Sequence, residues 1–267
     1  MSKTVLITGA SSGFGLRLAI DLHQKGYTVI GTSRNPDNYG TQFPFRMMRL
    51  DLDDDHAIAR FADELSASIP HLDVLVNNAG FLVTGIAEET PIELGKRQFE
   101  TNFWGTVKVT NALLPLFRRQ RSGHIVTISS IVGLIGPPNL SYYSASKHAV
   151  EGYFKSLRFE LHRFNIKVSM VEPRWFKTNI GVNAVSSQHP IADYDGYREQ
   201  LGAFTDDGIQ NAEDPTLVTD MVHKILETKE PSFKNLVGKM AGTIVFLQNY
   251  APKMFEKTML ADVQKAK

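Results

Sequence analysis

The chain has 267 residues with 29 Lys and Arg against 28 Asp and Glu, a net charge of +1, so no overall field favours nucleic acid or an anionic membrane. A hydrophobic share of 42% and a charged share of 21% match an ordinary globular chain and exclude collagen, coiled coil and extensive disorder. Without cysteine there is no disulfide, thiolate zinc site, iron–sulfur ligation or cysteine nucleophile, which fits a reducing compartment and an expected cytoplasmic location.

Met1-Ser2-Lys3 leads straight into Thr4-Val5-Leu6-Ile7-Thr8, an apolar run too short for a signal core, so no secretory leader is expected. Short β-rich runs then alternate with stretches of helical period. The strands predicted are Thr4–Thr8, Thr28–Thr32, Phe45–Leu50, Val74–Asn77, His124–Ser129 and Lys167–Glu172, mostly continuous Val, Ile and Leu as in strands buried on both faces. Helices are predicted over Gly15–Gln24, His56–Ser68, Ile92–Arg121 with a break near Pro115, and Tyr143–Arg163. This alternation is the pattern of an α/β, doubly wound parallel sheet, a Rossmann fold in one domain spanning 1–267. Arg174–Ala212 reads as a long functional loop, a candidate substrate lid. Asp214-Pro215 reads as N-cap and first residue of another helix reaching Thr228. The tail, 233–267, is amphipathic, with Met240, Ile244, Leu247, Met254 and Phe255 among lysines, and is expected to pack on the core or a second subunit, with a helix lying on a membrane surface as the lesser alternative. Even Ala241–Leu247 is far below the ~20 residues of a membrane span.

The first strand runs into Thr8-Gly9-Ala10-Ser11-Ser12-Gly13-Phe14-Gly15. Glycines at 9, 13 and 15 let the backbone turn tightly and approach a pyrophosphate, whose charge the following helix N-terminus favours. At the end of the second strand NAD-binding folds place an acid for the ribose 2′-hydroxyl. Here the chain has Ser33 and Arg34, no carboxylate and a planar cation able to fork onto a 2′-phosphate, so NADP(H) is expected in preference to NAD(H). Asp51 and Leu52 follow the third strand where an adenine would be bracketed, and Asp53 to Asp55 are placed to cap the next helix.

Further on stand Asn77-Asn78-Ala79-Gly80, Asn102, Ser129-Ser130 and Tyr143-Ser144-Ala145-Ser146-Lys147. Together with the glycine loop, this ordered set resembles the short-chain dehydrogenase/reductase family, over roughly residues 4–178. Tyr143 and Lys147 are four residues apart, so on a helix they share a face, and the ammonium can lower the tyrosine toward neutral pH. The resemblance implies Tyr143 as general acid/base, Ser130 as donor to the substrate oxygen, Lys147 as a contact to the nicotinamide ribose, and Asn102 as the holder of a water feeding a proton relay. It also implies cofactor contacts at Asn78, Ala79 and Gly80, hydride transfer from the B face of the ring, and a homodimer or homotetramer built on the long helices.

After the sixth strand the family pattern P-G-x-x-x-T is met by Pro173-Arg174-Trp175-Phe176-Lys177-Thr178. Pro173 and Thr178 match, and with Phe176 they are expected at the cofactor. Arg174 replaces a glycine, so the backbone there should avoid positive φ, and its side chain is free to reach cofactor phosphate, substrate or solvent. The apolar segments Phe81–Thr90, Ile131–Ser141 and Arg174–Ala212 favour an apolar ketone or alcohol, of which a steroid, retinoid or fatty carbonyl are options. Arg118, Arg119 and Arg121 close a helix and offset its dipole rather than bind nucleic acid. The eight histidines have no metal spacing, and no serine-hydrolase elbow is present. The rival readings are a cofactor sensor without turnover and an epimerase or dehydratase using the same cofactor.

Overall fold

The computed structural model describes residues 2–178, 180, 184–186 and 189–265. Positions 179, 181–183 and 187–188 of the expected lid, and 266–267 of the tail, lie outside the described residues.

The main sheet is parallel throughout, built from β1 (Thr4–Ile7), β2 (Thr28–Ser33), β3 (Arg46–Arg49), β4 (Val74–Asn77), β6 (Gly123–Ile128), β7 (Ile166–Pro173) and β9 (Lys234–Val237). Its strands run in the order β3-β2-β1-β4-β6-β7-β9. A separate short pair joins β5 (Val83–Thr84) to β8 (Val185–Ser186). In register, Val5 stands between Val29 and Val74, and Val126 between Val76 and Ser169.

Side chains alternate across the sheet, so each apolar strand feeds two cores. Leu6, Leu75, Ile125 and Met170 face one side, where they meet Phe61 and Leu65 of α2 (Asp55–Ser68), Leu113 and Phe117 of α4 (Thr106–Gln120), and Phe154 of α5 (Ser141–His162). Val5, Ile7, Val76 and Val171 face the other, against Leu18 and Leu22 of α1 (Gly13–Gln24) and Val222 and Ile225 of α7 (Thr216–Glu227). Helices on both faces give the doubly wound architecture. The strand order reverses between β1 and β4, and ligands of such sheets bind beyond the carboxyl ends at that point.

A seventh strand, β9, lies in the stretch read as amphipathic tail. It is only half buried at the sheet edge, so it lacks the apolar run of the inner strands. The rest of that tail is two helices, α8 (Ala241–Tyr250) and α9 (Pro252–Lys265), whose Ile244, Leu247 and Phe255 pack into a third cluster while Met240 and Met254 stay exposed.

The long helix does not break at Pro115, which sits inside α4. The break falls ten residues earlier, where α3 (Ile92–Phe99) passes through a π-helical turn, Glu100–Gly105, into α4. The widened turn disturbs the i→i−4 ladder, and the Thr106 hydroxyl donates to the Asn102 carbonyl at 2.9 Å. Asp54 caps α2 by accepting from the Ala57 N–H, as the acidic run suggested. Asp214 accepts from the Thr216 N–H at 2.7 Å from two residues before the helix, and Pro215, expected as its first residue, is instead the N-cap position. The remaining long helix of the lid region is α6 (Asp195–Gln210). Arg118 and Arg119 occupy the last turn of α4, and Arg121 ends it with left-handed backbone.

Candidate active site

One cavity of about 1150 Å³ opens at the carboxyl end of the sheet, lined at one end by the glycine loop and at the other by apolar residues of the C-terminal half. Gly9, Ser11, Ser12, Gly13 and Phe14 border it, as do Ser33, Arg34, Asp51, Leu52, Asn78, Ala79, Gly80, Asn102, Ser130, Tyr143, Lys147, Pro173, Phe176 and Thr178. Among the expected site residues only Gly15 stands back from the wall.

The loop's shape follows from its glycines. Gly9 has φ +66°, and a Cβ there would stand 2.9 Å from the Ala79 Cα. At Gly15 a Cβ would meet the Gly9 carbonyl oxygen and Asn78 Nδ2, each at 2.4 Å, so this glycine lets the helix close on the strand rather than touching a ligand. Asn78 Nδ2 donates to the Thr8 and Gly9 carbonyls at 2.9 and 3.1 Å, and the Thr8 hydroxyl accepts from the Asn78 and Ala79 N–H groups. Asn78 therefore braces the loop. The first helical bond of α1 runs from the Leu16 N–H to the Ser12 carbonyl, and the Ser12 hydroxyl does not fold back to cap the helix. That leaves the first-turn N–H groups to an anion. A glycine cradle, an uncapped helix start and a space of this size fit a dinucleotide with room for a substrate.

At the end of β2 the Ser33 hydroxyl accepts from the Asn35 N–H at 3.3 Å, and Arg34 is exposed at the cavity edge. Asn35, Asn38 and Tyr39 line the same end. Sequence reasoning misses these three because they follow the strand in an irregular stretch without a motif.

Tyr143 and Lys147 lie one turn apart on the buried side of α5. Lys147 Nζ donates to the Ile128 carbonyl at 3.0 Å, which leaves two of its three donors. Burial pushes the Tyr143 phenol up to about 12, opposed by the neighbouring Ser130 hydroxyl. Burial pulls Lys147 down to about 8, opposed by Glu151. The expected lowering of Tyr143 by Lys147 is thus reversed in the protein alone: dehydration of the phenolate outweighs an ammonium 5.8 Å from the ring centroid. Tyr143 is a protonated acid at neutral pH.

The Ser130 hydroxyl accepts from the Val132 N–H at 3.3 Å, at the start of a short 3-10 turn over Ile131–Gly133. Asn102 pairs with both backbone groups of Phe81, accepting from its N–H at 3.0 Å and donating to its carbonyl at 2.9 Å. It also reaches Ser146, whose hydroxyl donates to the Tyr143 carbonyl. The side chain therefore ties the Phe81 backbone to Ser146 on α5.

Arg174 has the predicted backbone: among the described residues, positive φ outside glycine is confined to Arg121, Asn139, Asn165 and Met240. Its N–H donates to the Val237 carbonyl at 3.0 Å, so β9 holds this turn, and its side chain is exposed at the cavity rim. The next residues are strapped to Glu213, whose backbone pairs with Trp175 and Lys177. Gly208 on α6 makes room for the Trp175 ring, which a Cβ there would approach to 2.7 Å. The apolar end of the cavity is completed by Ile135, Leu140, Ile244, Leu247 and Met259. The last three come from α8 and α9, which the sequence marks as packing but not as part of the site.

The family model for short chain dehydrogenase matches residues 3–189. A 3-ketodihydrosphingosine reductase of Bacteroides thetaiotaomicron is 37% identical over 244 residues, 89% of this chain and 88% of the relative. A solved short-chain dehydrogenase from Streptomyces avermitilis superposes with a TM-score of 0.83 at 32% identity, covering 99% of this chain and 98% of that one. ElxO with NADP bound superposes with a TM-score of 0.76 at 27% identity, covering 91% and 100%. With a parallel seven-stranded sheet, a glycine cradle at its switch point and these relatives across nearly the whole length, the chain belongs to the short-chain dehydrogenase/reductase family of oxidoreductases.

Proposed function

We propose that the chain is an NADP(H)-dependent enzyme that reversibly transfers hydride between the nicotinamide and a secondary alcohol or ketone on an apolar substrate. The observation that carries this reading is one continuous cavity joining the glycine loop and Arg34 to Ser130, Tyr143 and Lys147. The loop N–H groups would hold the pyrophosphate, Arg34 the 2′-phosphate, and the free donors of Lys147 the nicotinamide ribose. Asp51 and Leu52 would flank the adenine, with Pro173, Phe176 and Thr178 along the nicotinamide end. Bound there, the reduced nicotinamide supplies the hydride. Ser130 donates a hydrogen bond to the substrate oxygen, and Tyr143, a protonated phenol, gives that oxygen its proton as the carbonyl carbon is reduced. In the reverse direction Tyr143 must first lose its phenolic proton, and as a phenolate, a form favoured by high pH and by the positive charge of the oxidised nicotinamide, it takes the proton from the alcohol. Asn102 keeps the Phe81 backbone against α5 and positions both ends.

ElxO binding NADP supports the cofactor preference, as does Arg34. The 3-ketodihydrosphingosine reductase relative and the wall of Ile135, Trp175, Ile244 and Leu247 support a ketone on a long apolar skeleton, with 174–212 as lid and 233–267 closing the apolar end. The exposed Trp104 and Phe159 on the α4 and α5 side offer a surface for a second copy, consistent with a homodimer or homotetramer.

The test is oxidation of NADPH, with NADH in parallel, across apolar ketones and aldehydes, comparing the unmodified protein with Tyr143→Phe. Turnover with NADPH that is lost in the variant is expected. Tight NADPH binding without turnover of any carbonyl would favour the sensor, and product isomerised without net oxidation would favour the epimerase.

A further inference from the structure

Behind the cavity wall two carboxyl groups are buried, Glu151 one turn from Lys147 on α5 and Glu172 facing Glu151 from β7. Tyr143, Lys147 and Glu151 recur every four residues along α5, all on its buried side and exposed by 9%, 7% and 6%. Glu172, on β7, is 0% exposed. Its Oε2 accepts from the Asn235 N–H at 2.8 Å. Its Oε1 and both oxygens of Glu151 make no hydrogen bond of good geometry among the described residues. The Ser129 hydroxyl lies alongside: a Cβ on Gly133 would stand 2.9 Å from Glu151 Cγ and 3.0 Å from Ser129 Oγ. Neither carboxyl borders the cavity, so neither touches a ligand there.

The charged and titratable groups facing the pair are Lys147 and His148 from α5 and Lys234 from β9, with the two carboxyls facing each other from α5 and β7. Burial pushes Glu172 up to about 8, with the charge of Glu151 adding to it. Burial also raises Glu151, although Lys234, Lys147 and His148 all pull the other way. Two ionised carboxylates in a dry site repel each other, and the buried ammonium of Lys147 with the solvent-exposed one of Lys234 leaves both carboxyls raised. A single proton on the pair leaves one negative charge against the one positive charge of Lys147.

We propose that Glu151 and Glu172 share one proton at neutral pH and act as positioning residues, their single negative charge holding Lys147 as an ammonium beside Tyr143. The proposal rests on the reading that Lys147 serves proton transfer at Tyr143. It assigns the pair no contact with substrate. It also predicts that the two carboxyls act on Lys147 with opposite signs. Glu151→Gln removes the negative charge next to Lys147, so the lysine deprotonates more readily. Glu172→Gln removes the repulsion that keeps a proton on the pair, so Glu151 is fully ionised and Lys147 holds its proton more tightly.

The experiment is titration of Lys147 by carbon NMR with ¹³C-labelled lysine, assigned by Lys147→Met, in the full-length protein and in Glu151→Gln and Glu172→Gln. Both amides keep the size of the side chain, and in Glu172→Gln the amide oxygen can still accept from the Asn235 N–H. The expected result is a midpoint lower by about one pH unit in Glu151→Gln and higher, by a smaller amount, in Glu172→Gln. The high-pH limb of kcat should move the same way. Midpoints that stay in place, or that move together while the melting temperature drops, would overturn the proposal and leave the pair a packing feature. Should Glu151→Gln not fold, Glu172→Gln decides alone: an upward shift supports the pair and no shift overturns it. Opposite NMR shifts in a protein that reduces no carbonyl would uphold the pair and sink the catalytic reading instead.

Discussion

The Lys147 ammonium stands over the Tyr143 ring, 5.8 Å from its centroid, and is held there by its 3.0 Å hydrogen bond to the Ile128 carbonyl. In this arrangement the lysine titrates first, at about 8, and the tyrosine at about 12. If carbonyl reduction needs the ammonium, kcat stays level below pH 8 and falls as pH rises through about 8, because the base form of Lys147 then dominates. A pH–rate profile at saturating substrate checks this. A decline that begins only near the ordinary lysine value of about 10.4 would mean that burial does not govern Lys147 during turnover.

Arg34 extends from the end of β2 at the cavity edge, exposed, beside a Ser33 hydroxyl that already accepts from Asn35. A guanidinium on a 2′-phosphate makes hydrogen bonds to a charged group, each contributing about 1.5–3 kcal/mol. Arg34→Ala should therefore raise the KM for NADPH about 10-fold or more and leave the KM for NADH nearly unchanged. Steady-state kinetics with both cofactors decide it, and an equal change for the two would remove Arg34 as selector.

The inner strands, the glycine loop and the Tyr143–Lys147 register are legible because each has a short-range signature: continuous apolar runs, glycines at a strand-to-helix turn, and a spacing of one helical turn. Strand β9 is not, since Lys234 and Asn235 at a sheet edge lack that run, and only pairing with β7 makes them a strand. The π-turn at Asn102 is masked because Pro115 looks like the stronger breaker. Local propensity cannot reveal that the Thr106 hydroxyl satisfies the Asn102 carbonyl. The contribution of Ile244, Leu247 and Met259 to the cavity is hidden for a similar reason, since their apolar spacing says that they face something apolar and not what it is. The sign of the Tyr143 shift differs from expectation because spacing gives the cation's position but not the depth of burial, and burial dominates.

Two glycine substitutions should move stability in opposite directions. Gly15→Ala places a methyl 2.4 Å from both the Gly9 carbonyl oxygen and Asn78 Nδ2. It forces the brace apart at a cost of about 1–3 kcal/mol and weakens NADPH binding through the loop. Gly152, exposed in the interior of α5, has nothing within 4 Å of its ideal Cβ. Gly152→Ala should therefore stabilise by about 0.5–1 kcal/mol through helix propensity. Urea unfolding of both variants, with NADPH titration of the first, measures the contrast.

His124 gives the fold an acid-side limit that is independent of the site. It is buried on β6, and burial, with Lys167 and Lys3 nearby, pulls it down to about 4. Its Nε2 lies 3.0 Å from the Ser169 hydroxyl, which itself donates to the Ser232 carbonyl. With its proton so used, Ser169 can only accept from His124, which fixes the proton of the neutral ring on Nε2. Below pH 6.5 the unfolded chain binds a proton at this histidine that the folded chain refuses until about 4. More protons on the unfolded state mean that stability falls as pH falls across this window, by on the order of 3 kcal/mol at its lower end. His124→Gln can keep a donor toward Ser169 and cannot titrate, so its melting temperature should decline less steeply between pH 6.5 and 4 than that of the parent. Melting curves for both proteins across that range test the assignment, and parallel curves would place the acid sensitivity elsewhere.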